Sequence, residues 1–285
     1  MIKIIADTLS GISVKDACDL GIPYLPQIII FGDESYRDDS EITSKIFLEK
    51  LVASSSLPKT AAPPPALYTP IYNQLLSEGH TVIVICPSIE LSGTYRSAMV
   101  AAQDFPQSDI RVIDTRTIGA SLGSIVLKSL QWIEQGVDAD TLVENINEMA
   151  SRERTYFIVD TLEFLRRGGR IGNAQALVGS ILQVKPILTL KDGRTEAAES
   201  QRTKRRAVAR LHEIVLENCP REYDSFLAVQ HGGVEEEAKK LAEDLKNEIG
   251  VDDIRIVDLP PAVLTHAGPG ALSVSFFIKK NKQQL

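Results

Sequence analysis

Short β-branched runs alternate along the chain with stretches whose apolar residues recur every three or four positions. IKIIA (2–6), QIIIF (27–31), TVIVIC (81–86), IRVID (110–114), YFIVD (156–160) and FLAVQH (226–231) read as strands. Several lack polar alternation, as strands covered on both faces do. Amphipathic stretches at 42–53, 66–78, 94–104, 119–135, 138–152, 203–217 and 234–249 read as helices. Strands alternating with helices define an α/β layout with a largely parallel sheet. Between 170 and 200 the pattern changes. KPILTL, the turn KDGR and TEAAES read as an antiparallel hairpin turned by Asp192-Gly193. The expectation is an N-terminal α/β domain over 1–153 and a C-terminal mixed α+β domain over 154–285. Prolines in TAAPPPA (60–66) open the helix that follows.

A chain of 285 residues, 44% hydrophobic and 24% charged, can bury a large core without disulfides or metals. Its net charge of −7 argues against an obligatory nucleic-acid binder, which needs a basic surface. Cys18, Cys86 and Cys219 are widely spaced and odd in number, pointing to reduced thiols and a cytoplasmic protein. MIKIIADT reaches an aspartate too early for a signal peptide, and no apolar stretch is long enough to span a membrane.

Candidate chemistry gathers at strand-to-helix turns. In CPSIELSGTYRSA, a strand ends at Cys86 and a helix opens near Thr94, leaving Ser88, Ser92, Gly93 and Thr94 where free N–H groups and the positive helix end attract an anion. The alternative there is simple N-capping. The first loop, ADTLSG, presents Asp7, Thr8, Ser10 and Gly11 in the same way, and LPKTAAPP brings Thr60 to a third helix start. Loops at the C-terminal ends of parallel strands lie side by side, and ligands bind there. In TLEFLRRGGRIG, Arg166 and Arg167 fit the last turn of a helix ending at Gly168-Gly169, which leaves Arg170 as the functional candidate. Arg202, Arg206 and Arg210 read as one helical face, solvated or docking a partner. GASLG (119–123) matches the nucleophile-elbow pattern, with Asp258 and His266 following in hydrolase order. However, six residues separate its strand from Ser121, and small residues packed at a helix start explain the match. No metal-ligand spacing, phosphate loop or dinucleotide fingerprint is present, so no metal or cofactor is expected.

Taken together, IIADTLS, YLPQIIIFGDESYRDDSEIT, LPKTAAP, SIELSGTYRSA, VIDT, DTLEFLRRGGRIG, LQVKPILTLKDGR and LTHAGPGAL resemble the DegV family, in order and over nearly the whole chain. The resemblance implies a two-domain α/β carrier, not itself an enzyme, that holds one long-chain fatty acid between its domains. It also implies a partner, a separate ATP-dependent fatty-acid kinase making an acyl phosphate for phospholipid synthesis, with transient or no membrane contact. Carried over by motif, Thr60 and Ser92 would hydrogen-bond the carboxylate, with the Gly93 backbone close by. His266 would complete the head-group pocket, and Arg170 would lie near its mouth. Ala61 stands where the family commonly has a serine, which removes a possible donor.

The physical reading agrees with a carrier. A palmitate-sized tail has about 14 methylenes, each contributing up to ~0.8 kcal/mol on burial, while hydrogen bonds to the carboxylate add roughly 1.5–3 kcal/mol each. The tail supplies most of the affinity, and the hydroxyls fix which end faces out. The Gly-Pro-Gly turn, Gly268 to Gly270, would hold the backbone behind His266. A neutral imidazole there can donate to a carboxylate, and a protonated one can pair with an acyl phosphate. His231 is a second candidate, and His80 and His212 read as surface residues on helical segments. Two other readings compete: an ester hydrolase using Ser121 or Ser92 with His266, and a binding protein for another small anion.

Overall fold

The computed structural model describes residues 1–54, 56–177, 184–221, 223–251 and 253–280. They form two compact units, one of Met1–Ala150 with Pro260–Thr265, the other of Ser151–Leu259 with the residues from His266 onward.

In the first unit the chain runs β1 (Ile2–Asp7), α1 (Val14–Asp19), β2 (Tyr24–Leu25), β3 (Ile28–Phe31), β4 (Glu34–Arg37), α2 (Ser44–Ala53), β5 (Lys59–Ala61), α3 (Pro65–Ser77), β6 (Thr81–Cys86), α4 (Thr94–Ala102), β7 (Ile110–Asp114), α5 (Ala120–Glu134) and α6 (Ala139–Ser151). The order β2-β1-β6-β7 makes a parallel sheet, with Ile4 opposite Ile83 and Val84 opposite Val112. The unbroken apolar run of β6 follows from burial on both faces, since every residue from Val82 to Cys86 is buried. Tyr68, Tyr72 and Leu75 of α3, with Ala98 and Ala101 of α4, pack on Ile5, Val82, Val84 and Cys86. Each large apolar side chain removed from water there contributes about 1.5–3 kcal/mol. α3 starts at Pro65, whose missing N–H would be unpaired at that position in any case.

QIIIF does not join the parallel sheet. β3 pairs antiparallel with β4 and β5 in a separate three-stranded sheet. Its partners, ESYR and KTA, are too short and polar to read as strands from sequence.

The second unit runs β8 (Glu153–Ile158), α7 (Glu163–Arg167), β9 (Lys185–Lys191), β10 (Arg194–Gln201), α8 (Lys204–Asn218), β11 (Ala228–His231), α9 (Glu235–Ile249), β12 (Arg255–Asp258), α10 (Pro261–Ala267) and β13 (Leu272–Phe277), the first residues of α10 belonging to the other unit. Its sheet has the order β10-β9-β8-β13-β11-β12, antiparallel except between β11 and β12. The β9–β10 hairpin turns at Asp192 and Gly193, both with positive φ (50° and 77°), as the tight two-residue turn demands. Leu182 and Gln183, at the head of the quoted LQVKPILTLKDGR, lie outside the described residues. Leu211 and Val215 of α8 and Leu241 and Leu245 of α9 cover Val229, Val274 and Phe276 of the sheet. Cys86 and Cys219 are buried and Cys18 is exposed. Among the described residues no helix is long and apolar enough to cross a membrane.

Candidate ligand-binding site

At the C-terminal end of β1, Asp7 begins a buried polar network in the first unit. Its Oδ1 accepts the Leu9 N–H at 3.1 Å, capping the 3-10 turn over Thr8–Ser10. Its Oδ2 accepts from Gln27 Nε2 at 2.7 Å and from Thr94 Oγ1 at 2.8 Å. Thr94 opens α4, and its hydroxyl also lies 3.0 Å from Ser92 Oγ, which in turn accepts the Thr94 N–H at 3.2 Å. Gln27 extends the network, because its backbone N–H reaches Asp38 Oδ1 at 2.8 Å and Thr8 Oγ1 at 3.2 Å, and Thr8 donates to Asp38 at 2.8 Å. Burial pushes the Asp7 carboxyl up to about 7, against hydrogen bonds from Thr94, Leu9 and Gln27 that pull it down. Burial likewise raises Asp38 to about 7, with the Asp7 charge adding to the rise. Asp38 Oδ2 is buried without a hydrogen-bond partner.

The candidate hydroxyls thus divide. Thr94 and Thr8 face inward and serve Asp7 and Asp38, whereas Ser92 stands at the end of the chain of bonds. Ser88 caps its own turn by accepting the Glu90 N–H at 3.2 Å. Thr60 lies in β5 opposite Ile29 and is half-buried. A side chain on Gly93 would come within 3.3 Å of Ala62 Cβ, so the absence of one lets the Ser92-Gly93 turn and the segment carrying Thr60 lie against each other. Ala61 is exposed, on the face of β5 opposite Thr60. A serine there would not stand beside Thr60.

In the second unit, α7 ends in a Schellman arrangement: the Arg170 N–H bonds to Leu165 O at 2.9 Å and the Gly169 N–H to Arg166 O at 3.1 Å. Gly169 takes the left-handed conformation this needs, with φ 69°. Gly168 has φ −74° and is required for a different reason, because a Cβ on it would overlap His266 Nδ1. The Gly168 carbonyl accepts from Arg170 Nη1 at 2.7 Å. One residue therefore seats both the imidazole and the guanidinium. Burial first, and the Arg170 charge second, lower His266 to about 4. The ring is neutral at neutral pH, which opposes the expectation that a protonated His266 pairs with an acyl phosphate. Gly268 packs on the Phe164 ring and Gly270 on the Asp160 carboxylate, holding the turn after α10 against the segment around α7.

Some sequence readings hold and others change. Arg166 and Arg167 both pair with Glu163 on the surface of α7, as helix-end residues do. Arg202 precedes α8 and so shares no helical face with Arg206 and Arg210, and Arg210 is held by Glu199, Glu213 and Glu217. His80 is not a surface residue; it follows α3, with its side chain 8% exposed and Nε2 3.2 Å from Glu78. His212 is on α8, half-buried, 3.2 Å from Glu248. The elbow is absent. Ser121 is buried in the first turn of α5, and Gly123 packs so closely on the Ser10 carbonyl that no side chain fits. Asp258 lies 3.4 Å from His231 Nδ1 on the neighbouring strand. Gln27 and Asp38 went unnoticed in the sequence, although they join the candidate loops. Among the described residues no cluster suited to a metal ion is present.

A parallel unit with hydroxyls at its strand ends and a mixed unit with a desolvated histidine define a class of two-unit α/β proteins. Within it, the model described as "Uncharacterised protein, DegV family" matches residues 1–279, and the chain belongs to the DegV family. A DegV domain-containing protein of Halalkalibacterium halodurans is 31% identical over 280 residues, covering 98% of this chain and 99% of the relative. The fatty-acid-binding DegV family protein of Thermus thermophilus has the same fold, with a TM-score of 0.89 at 30% identity over 98% of this chain and 99% of that one. DegV of Bacillus subtilis, a fatty acid binding protein, gives 0.87 at 30% identity over the same shares. The Thermus thermophilus and Bacillus subtilis proteins are described as fatty-acid-binding.

Proposed function

We propose that this chain binds one long-chain fatty acid and presents its carboxylate to a separate ATP-dependent fatty-acid kinase, whose acyl-phosphate product enters phospholipid synthesis. Whole-length membership of a family with fatty-acid-binding members carries the reading. Thr60 and Ser92 hydrogen-bond the carboxylate, with the Gly93 backbone beside it. His266 donates as a neutral imidazole, and Arg170 lies at the mouth, where it meets the kinase or the acyl phosphate. The neutral His266 ring seated over Gly168 and the hydrogen bond from the Thr94 N–H to Ser92 Oγ support these roles, because each holds a hydrogen-bonding group in place in advance.

Native mass spectrometry of the purified protein, followed by solvent extraction, tests the binding. One fatty acid per chain is expected. An empty protein that also takes up no added palmitate or oleate overturns the reading. For presentation, Ser92→Ala and His266→Ala should depress ATP-dependent acyl-phosphate formation by an added bacterial fatty-acid kinase. Unchanged formation would remove these residues from the head-group site.

A further inference from the structure

The Ser92 hydroxyl ends a hydrogen-bonded chain that starts at a buried carboxyl. Asp7 Oδ2 is 2.8 Å from Thr94 Oγ1, which is 3.0 Å from Ser92 Oγ. The Thr94 N–H fixes the position of Ser92 Oγ without fixing the direction of its proton. Each hydroxyl has one proton to give. With Asp7 ionised, Thr94 donates inward to Asp7, and the Ser92 proton is drawn to Thr94 Oγ1. Ser92 then turns its one remaining lone pair outward. With Asp7 protonated, Asp7 donates to Thr94 and Thr94 donates to Ser92. Ser92 keeps its own proton for an outside acceptor. Gln27 Nε2, 3.1 Å from Thr94 Oγ1, fills the remaining lone pair of that oxygen in the second arrangement.

We propose that Asp7, acting through Thr94, is a positioning residue that sets whether Ser92 offers a donor or an acceptor to the ligand head group. The inference rests on Ser92 being a ligand of the carboxylate. Asp7 is 1% exposed. Among the described residues, its charge acts on Asp38, Tyr24, Tyr68 and Cys86, none of which is a cation. Its pKa of about 7 makes both arrangements accessible near neutral pH.

The test is isothermal titration of delipidated protein with palmitate from pH 5.5 to 8.5, using wild type, Asp7→Asn, Thr94→Val and Thr94→Ser. Asparagine donates to Thr94 at every pH, as the protonated carboxyl does, once Gln27 turns its side-chain oxygen toward the new amide nitrogen. Dividing wild-type affinity by that of Asp7→Asn cancels the titration of palmitate itself. This ratio should fall about tenfold to hundredfold across the range, the effect of one hydrogen bond to a charged group. Thr94→Val should abolish the protein-dependent step and Thr94→Ser should restore it. If Asp7→Asn does not fold, the two Thr94 variants carry the test. Palmitate binding with a flat ratio, or a step that survives Thr94→Val, overturns the role of Asp7 and leaves the fatty-acid reading standing. No palmitate binding by wild type at any pH overturns both.

Discussion

Gly168 lies directly beneath the imidazole of His266. A methyl group on it would overlap Nδ1, sit 2.9 Å from Cε1 and press the Phe164 carbonyl at 3.0 Å. The two glycines of LRRGGR therefore do different work, and substitution separates them. Gly168→Ala should displace the ring, cost about 1–3 kcal/mol by overpacking and weaken fatty-acid binding. Gly169→Ala should cost roughly 1–2 kcal/mol through its left-handed backbone and leave binding intact. Urea denaturation and palmitate titration of both variants check this. Equal binding by the two would deny His266 a fixed seat.

His266 also makes acid stability predictable. Its folded pKa of about 4 lies below the ordinary 6.5, so between those values the unfolded chain carries the extra proton. Stability from this residue is complete above pH 6.5 and declines as pH falls toward 4. The His266 ring resonances should shift between neutral and protonated positions near pH 4 in an NMR titration of the folded protein. A midpoint near 6.5 would mean that the ring is solvated.

Much of the fold was legible because burial writes itself into the sequence. The parallel strand β6 is a near-continuous apolar run, β1 and β7 are short β-branched segments between helical patterns, and Asp192-Gly193 announces its hairpin. What escaped was structure set by distant partners. β13 is the buried centre of the second sheet, yet its LSVSFF carries Ser273 and Ser275, and all six residues are buried. β3 resembles the parallel strands, but its partners are the polar β4 and β5. The same holds for the candidate site. Ser92, Thr60 and His266 stand out by turn chemistry and family resemblance. Asp38 lies in the charged stretch SYRDDSEIT, where nothing local says which aspartate of the pair ties into Thr8 and Gln27. The separate duties of Gly168 and Gly169 depend on His266, almost a hundred residues away.

Asp38 gives a pH dependence of opposite sign to His266. Its pKa rises from 3.8 to about 7 on folding, so the folded protein holds the extra proton between those values. Its contribution is complete below pH 4 and lost as pH rises through 7. Asp38→Asn removes this loss while keeping an oxygen for Thr8 and Gln27. The urea midpoint of the variant, relative to wild type, should therefore rise between pH 5 and pH 8. A difference independent of pH would show Asp38 ionised and solvated. Whole-protein profiles sum this carboxyl, Asp7 and His266 with partial cancellation between about pH 4 and 6.5, so single variants are needed to see each.

Arg170→Ala tests the coupling between guanidinium and imidazole without any ligand. The Arg170 charge lowers the His266 pKa, and its guanidinium is bonded to the carbonyl of Gly168, the residue on which the ring is seated. Removing it takes away the repulsion, which favours imidazolium. The His266 pKa should therefore rise from about 4 toward 6.5 in the NMR titration. The backbone bond from Arg170 N to Leu165 O survives the substitution, so the end of α7 should hold and thermal stability should change little. In the presence of a fatty-acid kinase, transfer should fall more than palmitate affinity, because Arg170 is assigned to the mouth and not to the carboxylate. Equal loss of both would move Arg170 into direct contact with the carboxylate. An unshifted His266 would show that burial alone keeps the ring neutral.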